Sequence, residues 1–268
     1  MRPFFLPSYV REQLRANHWF IDRITEMNAR ISALNWGEPE VSIVIPAYNE
    51  EARILKTLSS LSYIISKYAI EIIVVDNNSN DNTKQLVEMA GAVYVFEGMQ
   101  GVKYARNRGL LIAKGKYILN ADADSIYSPY WVDVMVNELM DKNVGCIYGK
   151  FAFFPERNHS RLAYYLYECF ADGYKWIKGT LRDKAMFVYG FNSGFRRTDG
   201  LAVGGFEHPE GSNEDGYLAL KLRDQRFGAL KLVKAKDAVV FTSSRRIDEL
   251  GGPFRAFFKQ ITNKTLFR

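Results

Sequence analysis

Short apolar runs alternate with longer mixed stretches through the first half of the chain. Four runs are rich in Val and Ile or aromatic residues and have the length of buried strands: 41–45, 71–75, 92–96 and 116–119. The segments between them can each form a helix: 50–67, 83–90 and 104–113. This alternation predicts an α/β fold with a mostly parallel sheet and flanking helices, which binds its ligands at the carboxyl ends of the strands.

The alternation weakens after Ile126. Beyond that point we expect three helices and three strands: helices at 130–140, 162–177 and 213–222, and strands at 144–148, 229–233 and 238–241. Residues 8–34 have apolar positions at helical spacing, which predicts one amphipathic helix that ends at the turn of Gly37 and Pro39. The predicted organisation is an N-terminal helical arm (1–39), one large α/β domain (40–246) and a basic amphipathic C-terminal segment (247–268).

Composition narrows the class of partner. The 36 Lys and Arg residues exceed the 30 Asp and Glu residues, and the resulting formal charge of +6 favours anionic partners such as nucleotides or an acidic membrane surface. Nucleic acid is not an expected partner, because the basic residues are dispersed and no nucleic-acid-binding motif is present. Cys146 and Cys169 form no CxxC pair, so neither a disulfide framework nor a structural zinc site is indicated.

The location of the protein follows from similar reasoning. The N-terminus lacks the charged and apolar regions of a signal peptide, and no apolar run approaches the ~20 residues that span a bilayer. We therefore expect a cytoplasmic protein, peripheral on the inner face of the membrane if it meets a membrane at all. Its C-terminal segment has Phe254, Phe257, Phe258 and Ile261 at helical spacing among basic residues, which suits a membrane interface, packing on the domain or contact with another subunit.

Polar side chains crowd the ends of the first two predicted strands. The first strand leads into Pro46-Ala47-Tyr48-Asn49-Glu50, and the second into Asp76-Asn77-Asn78-Ser79. Together they suit a nucleotide base and ribose, although Asn and Asp also form turns and helix caps.

Charged side chains follow the next two strands. The segment Gly101-Val102-Lys103-Tyr104-Ala105-Arg106 opens a helix with cations, which suits phosphate oxygens or a solvated basic face. The segment Asn120-Ala121-Asp122-Ala123-Asp124 places two carboxylates where a strand enters a loop, and they reach the same side only if the chain turns. Such a pair could hold a hard divalent cation beside a diphosphate.

Taken in order, the segments IVIPAYNEE, VVDNNSNDNT, GVKYARN and NADAD resemble the family 2 glycosyltransferases of the GT-A fold. The similarity runs from about Val41 to Arg246 and extends to the later segments GFNSG, GGF, NED and TSSRR. It implies an inverting enzyme that moves one sugar from a nucleotide-diphosphate sugar, with UDP-sugars favoured, to an acceptor hydroxyl. Cell-envelope polysaccharide or glycolipid synthesis is the expected setting, and the acceptor is expected to be a saccharide or a lipid-linked molecule.

The resemblance also implies roles for individual residues. The base and ribose would contact five residues: Pro46, Ala47, Tyr48, Glu50 and Asp76. Lys103 and Arg106 would lie near the nucleotide or its phosphates. Arg245 and Arg246 could clamp the diphosphate, although adjacent arginines point apart in a strand and either could be a surface charge.

The carboxylates carry the implied chemistry. Asp122 would help to seat the nucleotide and the metal, and Asp124 would be the more direct ligand of Mn²⁺ or Mg²⁺. Asp215 would be the general base that removes the acceptor proton, with Glu214 supporting it or the acceptor. An acid in the first turn of a helix can also simply stabilise the helix dipole.

Two features depart from other family members. No histidine follows Asp215, so water is expected to complete the metal coordination. The QxxRW box of processive members is absent, which favours transfer of one sugar at a time.

Two other functions remain open at this stage. A sugar-phosphate nucleotidyltransferase would share the nucleotide and metal requirements, but it would carry a glycine-rich loop where this chain has PAYNEE. A non-catalytic nucleotide-binding scaffold would keep the pocket without turnover. The aromatic residues between Phe151 and Ile177 could stack on a sugar, shelter a lipid chain or simply pack in the core.

Overall fold

The computed structural model describes residues 2–15, 21–156, 159–179 and 183–262. Its helices are α1 (Ser8–Arg15), α2 (Ile21–Leu34), α3 (Ile54–Ser62), α4 (Thr83–Met89), α5 (Val102–Ile112), α6 (Trp131–Leu139), α7 (Arg161–Gly179), α8 (Arg197–Ala202), α9 (Glu214–Asp224), α10 (Arg245–Glu249) and α11 (Pro253–Thr262). Its strands are β1 (Val41–Ala47), β2 (Ile70–Asp76), β3 (Val93–Phe96), β4 (Tyr117–Asn120), β5 (Ser125–Ile126), β6 (Val144–Tyr148), β7 (Phe151–Phe154), β8 (Ser193–Arg196), β9 (Ala229–Leu232) and β10 (Val240–Ser243).

The central sheet has the strand order β3-β2-β1-β4-β8-β6-β9. All of its neighbours are parallel except β8, which runs antiparallel to both β4 and β6. The predicted α/β fold with a mostly parallel sheet is therefore confirmed. Strand β8 was not predicted, because Gly194 interrupts its apolar pattern. A Cβ at Gly194 would lie 2.6 Å from Leu119 Cδ2 and 2.9 Å from the Ile118 carbonyl oxygen, so close strand pairing requires glycine here.

Helices cover both faces of the central sheet, because successive side chains of a strand point in opposite directions. On one face, Ile43 and Ile45 of β1 belong to a core that includes Leu58 and Trp131. On the other face, Val44 lies in a second core with residues of α5 and α9. Two-sided burial explains why β1 is apolar at nearly every position rather than alternating.

A second, three-stranded sheet has the order β5-β10-β7. Thr242 of β10 pairs with Ser125 of β5, and the Ser243 amide donates to the Asp124 carbonyl at 3.1 Å. This small sheet brings the chain that follows β10 against the loop that follows β4.

The N-terminal region contains two helices where one was predicted. Val10 of α1 packs with Ile126 and Phe241 beside the small sheet, whereas Ile24 and Ile31 of α2 join the main core. The predicted helix also included residues 16–20, which lie outside the described residues. The two helices pack on different clusters, and the apolar spacing of the sequence did not reveal this difference.

The C-terminal helix α11 packs on the protein through a residue outside the predicted apolar stripe. Ala256 is buried in a cluster with Tyr164 and Ile247, while Phe254 and Phe258 are exposed. The side chains of Lys259 and Ile261, and the residues Lys264 and Arg268, lie outside the described part of the structure. Among the described residues, no helix is both long enough and apolar enough to cross a membrane.

Candidate active site

A cleft of about 700 Å³ lies at the carboxyl ends of β1, β2 and β4. Ala47, the last residue of β1, pairs with Asp76, the last residue of β2, so the two polar loops that follow leave the sheet side by side. Most of the predicted site residues line this cleft: Pro46, Ala47, Tyr48, Glu50, Arg106, Asp122, Asp124, Glu214, Asp215, Arg245 and Arg246.

Arg106 lies between two carboxylates at the floor of the cleft. Its Nη2 donates to Asp122 Oδ1 at 2.9 Å, and its Nε lies 3.3 Å from Asp215 Oδ1. The Arg106 side chain is 2% exposed and that of Asp215 is 6% exposed. Arg106 therefore ties the loop after β4 to the start of α9.

The start of α9 is fixed by a side-chain cap. The Asn213 carboxamide oxygen accepts hydrogen bonds from the Asp215 and Gly216 amides, at 2.9 and 3.0 Å. This cap holds Asp215 in the first turn, where the helix dipole favours its ionised form. It also directs the carboxylate towards Arg106.

Asp215 has the character of a base that titrates near neutrality. Burial raises the pKa of its carboxyl to about 7, and the negative charges of Glu214 and Asp122 act in the same direction. The Arg106 guanidinium and the Gly190 amide lower the pKa of Asp215 but do not outweigh burial. Asp215 Oδ1 and two nitrogens of Arg106, Nε and Nη1, are buried without a hydrogen-bond partner among the described residues, so this part of the cleft has unused polar capacity.

Asp124 is the centre of a second charged group. Arg245 Nη2 donates to Glu50 Oε1 at 2.9 Å and lies 3.7 Å from Asp124 Oδ2. Burial raises the pKa of the Asp124 carboxyl to about 7, the charges of Asp122 and Glu50 add to this effect, and Arg245 and Arg246 oppose it. Three carboxylates thus meet here with incomplete compensation by the arginines.

These carboxylates could supply some, but not all, of the ligands of a divalent cation. Two carboxylate side chains, Asp122 and Asp124, face the cleft, and a cation would relieve the repulsion that raises the pKa of Asp124. However, the described residues contain no group of three or more His, Cys, Asp or Glu side chains that could enclose a metal ion. A cation held here would need oxygen atoms from the nucleotide and from water, as is usual for Mg²⁺ beside phosphates.

Two predicted residues do not line the cleft. Asp76 is buried, and its carboxylate accepts hydrogen bonds from the Ser79 amide and the Tyr94 hydroxyl. Lys103 forms an ion pair with Glu207 at 3.3 Å. The roles of Asp76 and Lys103 in nucleotide binding stay predictions.

Sequence reasoning missed the part played by Asn77. Its side-chain amide donates to the Glu97 and Met99 carbonyls, and its Oδ1 accepts from the Gly101 amide at 2.7 Å. Asn77 lines the cleft and fixes the loop that leads into α5. Its position next to Asp76, at a strand end, was the only available signal.

Arg245 and Arg246 lie in a helix rather than in a strand, where adjacent arginines would point apart. They begin helix α10, because β10 ends at Ser243, whose hydroxyl accepts from the Arg245 amide at 3.1 Å. Ser244 then donates to Asp248 within the same helix at 2.8 Å. Successive side chains of a helix differ in direction by about 100°, and both arginines line the cleft.

Comparison with known proteins gives a consistent picture. The model of the family described as "Glycosyl transferase family 2" matches residues 42–199. The glycosyltransferase AglE of Haloferax volcanii is 32% identical over 124 residues, which cover 43% of this chain and 40% of AglE. The UDP-Glc:alpha-D-GlcNAc-diphosphoundecaprenol beta-1,3-glucosyltransferase WfgD of Escherichia coli is 30% identical over 116 residues, which cover 41% of this chain and 45% of WfgD. The chain thus spans less than half the length of these two relatives.

Solved structures share the fold. The mannosyltransferase PcManGT of Pyrobaculum calidifontis, in complex with GDP-Man and Mn²⁺, superposes with a TM-score of 0.56 and 19% identity, covering 96% of this chain and 76% of that one. Glucosyl-3-phosphoglycerate synthase of Mycobacterium tuberculosis, in complex with Mn²⁺, UDP and phosphoglyceric acid, has a TM-score of 0.55 and 21% identity, covering 94% and 84%. At these identities the similarity establishes the fold alone.

Proposed function

The chain belongs to glycosyltransferase family 2, and from this premise we propose that it moves one sugar from a nucleotide-diphosphate sugar to an acceptor hydroxyl, with inversion at the anomeric carbon. The catalytic unit we propose is 40–246, flanked by the N-terminal arm (1–39) and the C-terminal segment (247–268). The observation that carries this proposal is the position of Asp215, a carboxylate that shares one cleft with Asp122 and Asp124 and whose pKa is raised by burial to about 7.

The proposed reaction is a single displacement. Asp215 accepts the proton of the acceptor hydroxyl, and the oxygen forms a bond to the anomeric carbon as the bond to the diphosphate breaks. The nucleoside diphosphate leaves with the electron pair of the broken bond. Arg245 and Arg246, which also line the cleft, are suited to bind the negative charge that develops on the diphosphate.

We propose that Asp124, with Asp122, holds Mn²⁺ or Mg²⁺. When bound, the cation would neutralise charge on the leaving diphosphate. The uncompensated negative charge around Asp124 supports this assignment, as do the Mn²⁺ complexes of two structural neighbours.

UDP-sugars are the donors we favour. The Staphylococcus aureus protein TarS, whose fold is similar, has been crystallised with UDP-GlcNAc, and the name of WfgD specifies UDP-Glc. The GDP-Man complex of PcManGT makes GDP-sugars the necessary comparison in any binding assay.

The acceptor we propose is a saccharide or a lipid-linked molecule reached from the cytoplasmic face of the membrane. The name of WfgD specifies a diphosphoundecaprenol-linked acceptor, and a relative in Saccharomyces cerevisiae is named a dolichyl-phosphate beta-glucosyltransferase. The exposed Phe254 and Phe258 of α11 support contact with a membrane surface.

The test compares Asp215→Asn with Asp224→Asn, an exposed acid at the far end of the same helix. We expect both variants to bind UDP with Mn²⁺, and only Asp215→Asn to lose the release of UDP from UDP-sugar plus acceptor. UDP binding without release in the wild-type protein would instead favour the scaffold function. Release of pyrophosphate from a nucleoside triphosphate and a sugar phosphate would favour the nucleotidyltransferase.

A further inference from the structure

A second cavity, of about 310 Å³, shares a wall with the catalytic cleft. The shared wall contains residues that line both spaces: Asp122, Asp124, Tyr189, Phe191 and Arg246. A molecule in the second cavity would therefore lie next to the carboxylates of the active site.

Aromatic rings form a continuous surface in this cavity. Phe151 contacts Phe153, Tyr189 and Phe191 with centroid distances of 5.3, 5.3 and 5.2 Å. Tyr189 and Phe191 are stacked with an interplanar angle of 10°, and Tyr167 extends the surface from Phe153. These rings are only partly buried, so they expose apolar surface to the cavity.

The two charged side chains away from the shared wall, Arg2 and Glu168, already have partners. Arg2 donates to both carboxylate oxygens of Asp172, each at 2.7 Å, and to the Phe151 carbonyl. Both oxygens of Glu168 accept from Arg161, and one also accepts from the Phe153 amide. A saccharide needs polar partners for its hydroxyls, and these groups have little capacity left, whereas an apolar chain needs none.

Helices α7 and α11 each contribute a small residue to the lining of the cavity, Ala171 and Ala256. The same helices expose Phe170 and Phe258 on their outer sides. Two helices that line the cavity therefore also carry exposed aromatic side chains.

We propose that this cavity binds an apolar chain of the acceptor, attached close to the hydroxyl that receives the sugar. This inference rests on the proposed function and narrows it to amphiphilic acceptors. The shared wall places the chain beside Asp122 and Asp124, so no more than a small head group separates the chain from the reacting oxygen. Long oligosaccharides between lipid and hydroxyl do not suit this arrangement.

The experiment measures binding of butyl, hexyl and octyl glucosides, below their micellar concentrations, to the protein with Mn²⁺ and UDP. We expect affinity to rise with chain length, by up to about fourfold for each methylene that becomes fully buried. Geranyl glucoside is compared with octyl glucoside, because a preference between them identifies a polyisoprenyl or a straight-chain source. Equal affinity for all chain lengths would overturn the proposal.

Two variants and one control locate the site. Ala171→Phe fills the cavity from α7 and should abolish the dependence on chain length, while Leu162→Phe adds a ring at an exposed position of the same helix and should retain it. Ala256→Leu fills the cavity from α11 and serves if Ala171→Phe does not fold. A chain-length dependence that survives both filling variants would overturn the proposal. UDP binding is also measured in every variant. Loss of UDP binding would show that the donor site, and with it the proposed function, has failed, and this outcome is distinct from loss of the dependence on chain length.

Discussion

Nε of Arg106 lies 3.3 Å from Oδ1 of Asp215, and neither side chain has substantial contact with solvent. The same guanidinium donates to Asp122, so one buried cation serves the predicted base and the predicted metal and nucleotide carboxylate. Removing one partner of a buried ion pair leaves the other charge uncompensated, which is far more costly than loss of a surface pair.

We therefore expect Arg106→Gln to destabilise the fold by about 3–5 kcal/mol, because Asp122 and Asp215 lose their shared cation. Urea denaturation measures this change. The control is Arg108→Gln, which removes an exposed arginine two residues further along α5 and should change stability by no more than about 0.5 kcal/mol. Similar stability of the two variants would show that the Arg106 pair does not form in solution.

The titration of Asp215 predicts the pH dependence of the reaction. A general base must be ionised, and the pKa of the Asp215 carboxyl is about 7. We expect kcat/KM to rise as the pH increases through 7 and to level off above it.

Asp215→Asn should reduce kcat by about 10²–10⁴-fold, the usual contribution of a general base, and its residual activity should lack this rise. The measurement is the steady-state rate of UDP release from roughly pH 5.5 to roughly pH 9, a range that brackets the titration of such a carboxyl. An Asp215→Asn profile that keeps the same midpoint would assign the titration to another group.

The ends of the parallel strands could be predicted well and the contacts between distant loops could not. Strands β1 and β2 have Val- and Ile-rich runs, β4 has the run Tyr-Ile-Leu, and all three strands are buried, so the sequence predicted them, and the polar loops after them, closely. Arg106 was predicted to lie near phosphates, but its pairing with Asp122 and Asp215 depends on how α5, β4 and α9 pack. A single sequence carries no signal of that packing.

The same limit applies to the later part of the chain. Arg245 and Arg246 lie beyond the predicted strand 238–241, and the sequence did not reveal the local serine hydrogen bonds that turn the chain into α10. The aromatic residues between Phe151 and Ile177 were considered as a surface for a sugar or a lipid chain or as core, but the sequence did not reveal that Phe151 and Tyr167 meet Phe191 in one cavity, because these residues come from separate elements.

The ionised Asp124 carboxylate should lower the free energy of unfolding when no metal is bound. Its folded pKa of about 7 is above the usual value of 3.8, so folding favours the protonated form. The contribution of this carboxyl to stability is fully present below about pH 4, which is near the pKa of a free Asp. It is lost as the pH rises through about 7.

In the absence of metal, we expect Asp124→Asn to be more stable than wild type by about 1–2 kcal/mol at alkaline pH, after discounting for partial solvation of the site. The advantage should decline as the pH falls. Thermal unfolding in EDTA measures it, and a second series with Mn²⁺ and UDP should show stabilisation of wild type but little of the variant. Equal stabilisation of both by Mn²⁺ and UDP would contradict the assignment of Asp124 as a metal ligand.

Gly190 provides a steric test of the whole arrangement. A Cβ at this position would lie 2.1 Å from Arg106 Nη2 and 2.3 Å from Asp215 Oδ2. Both side chains are buried and paired, so Gly190→Ala must displace the ion pair. We expect a loss of about 1–3 kcal/mol in unfolding free energy, typical of overpacking, together with a loss of UDP release.

The control is Gly173→Ala in α7, where a Cβ meets nothing within 4 Å and alanine should stabilise the helix by about 0.5–1 kcal/mol. If Gly190→Ala kept wild-type stability and activity, Arg106 and Asp215 could not occupy these positions in the working enzyme.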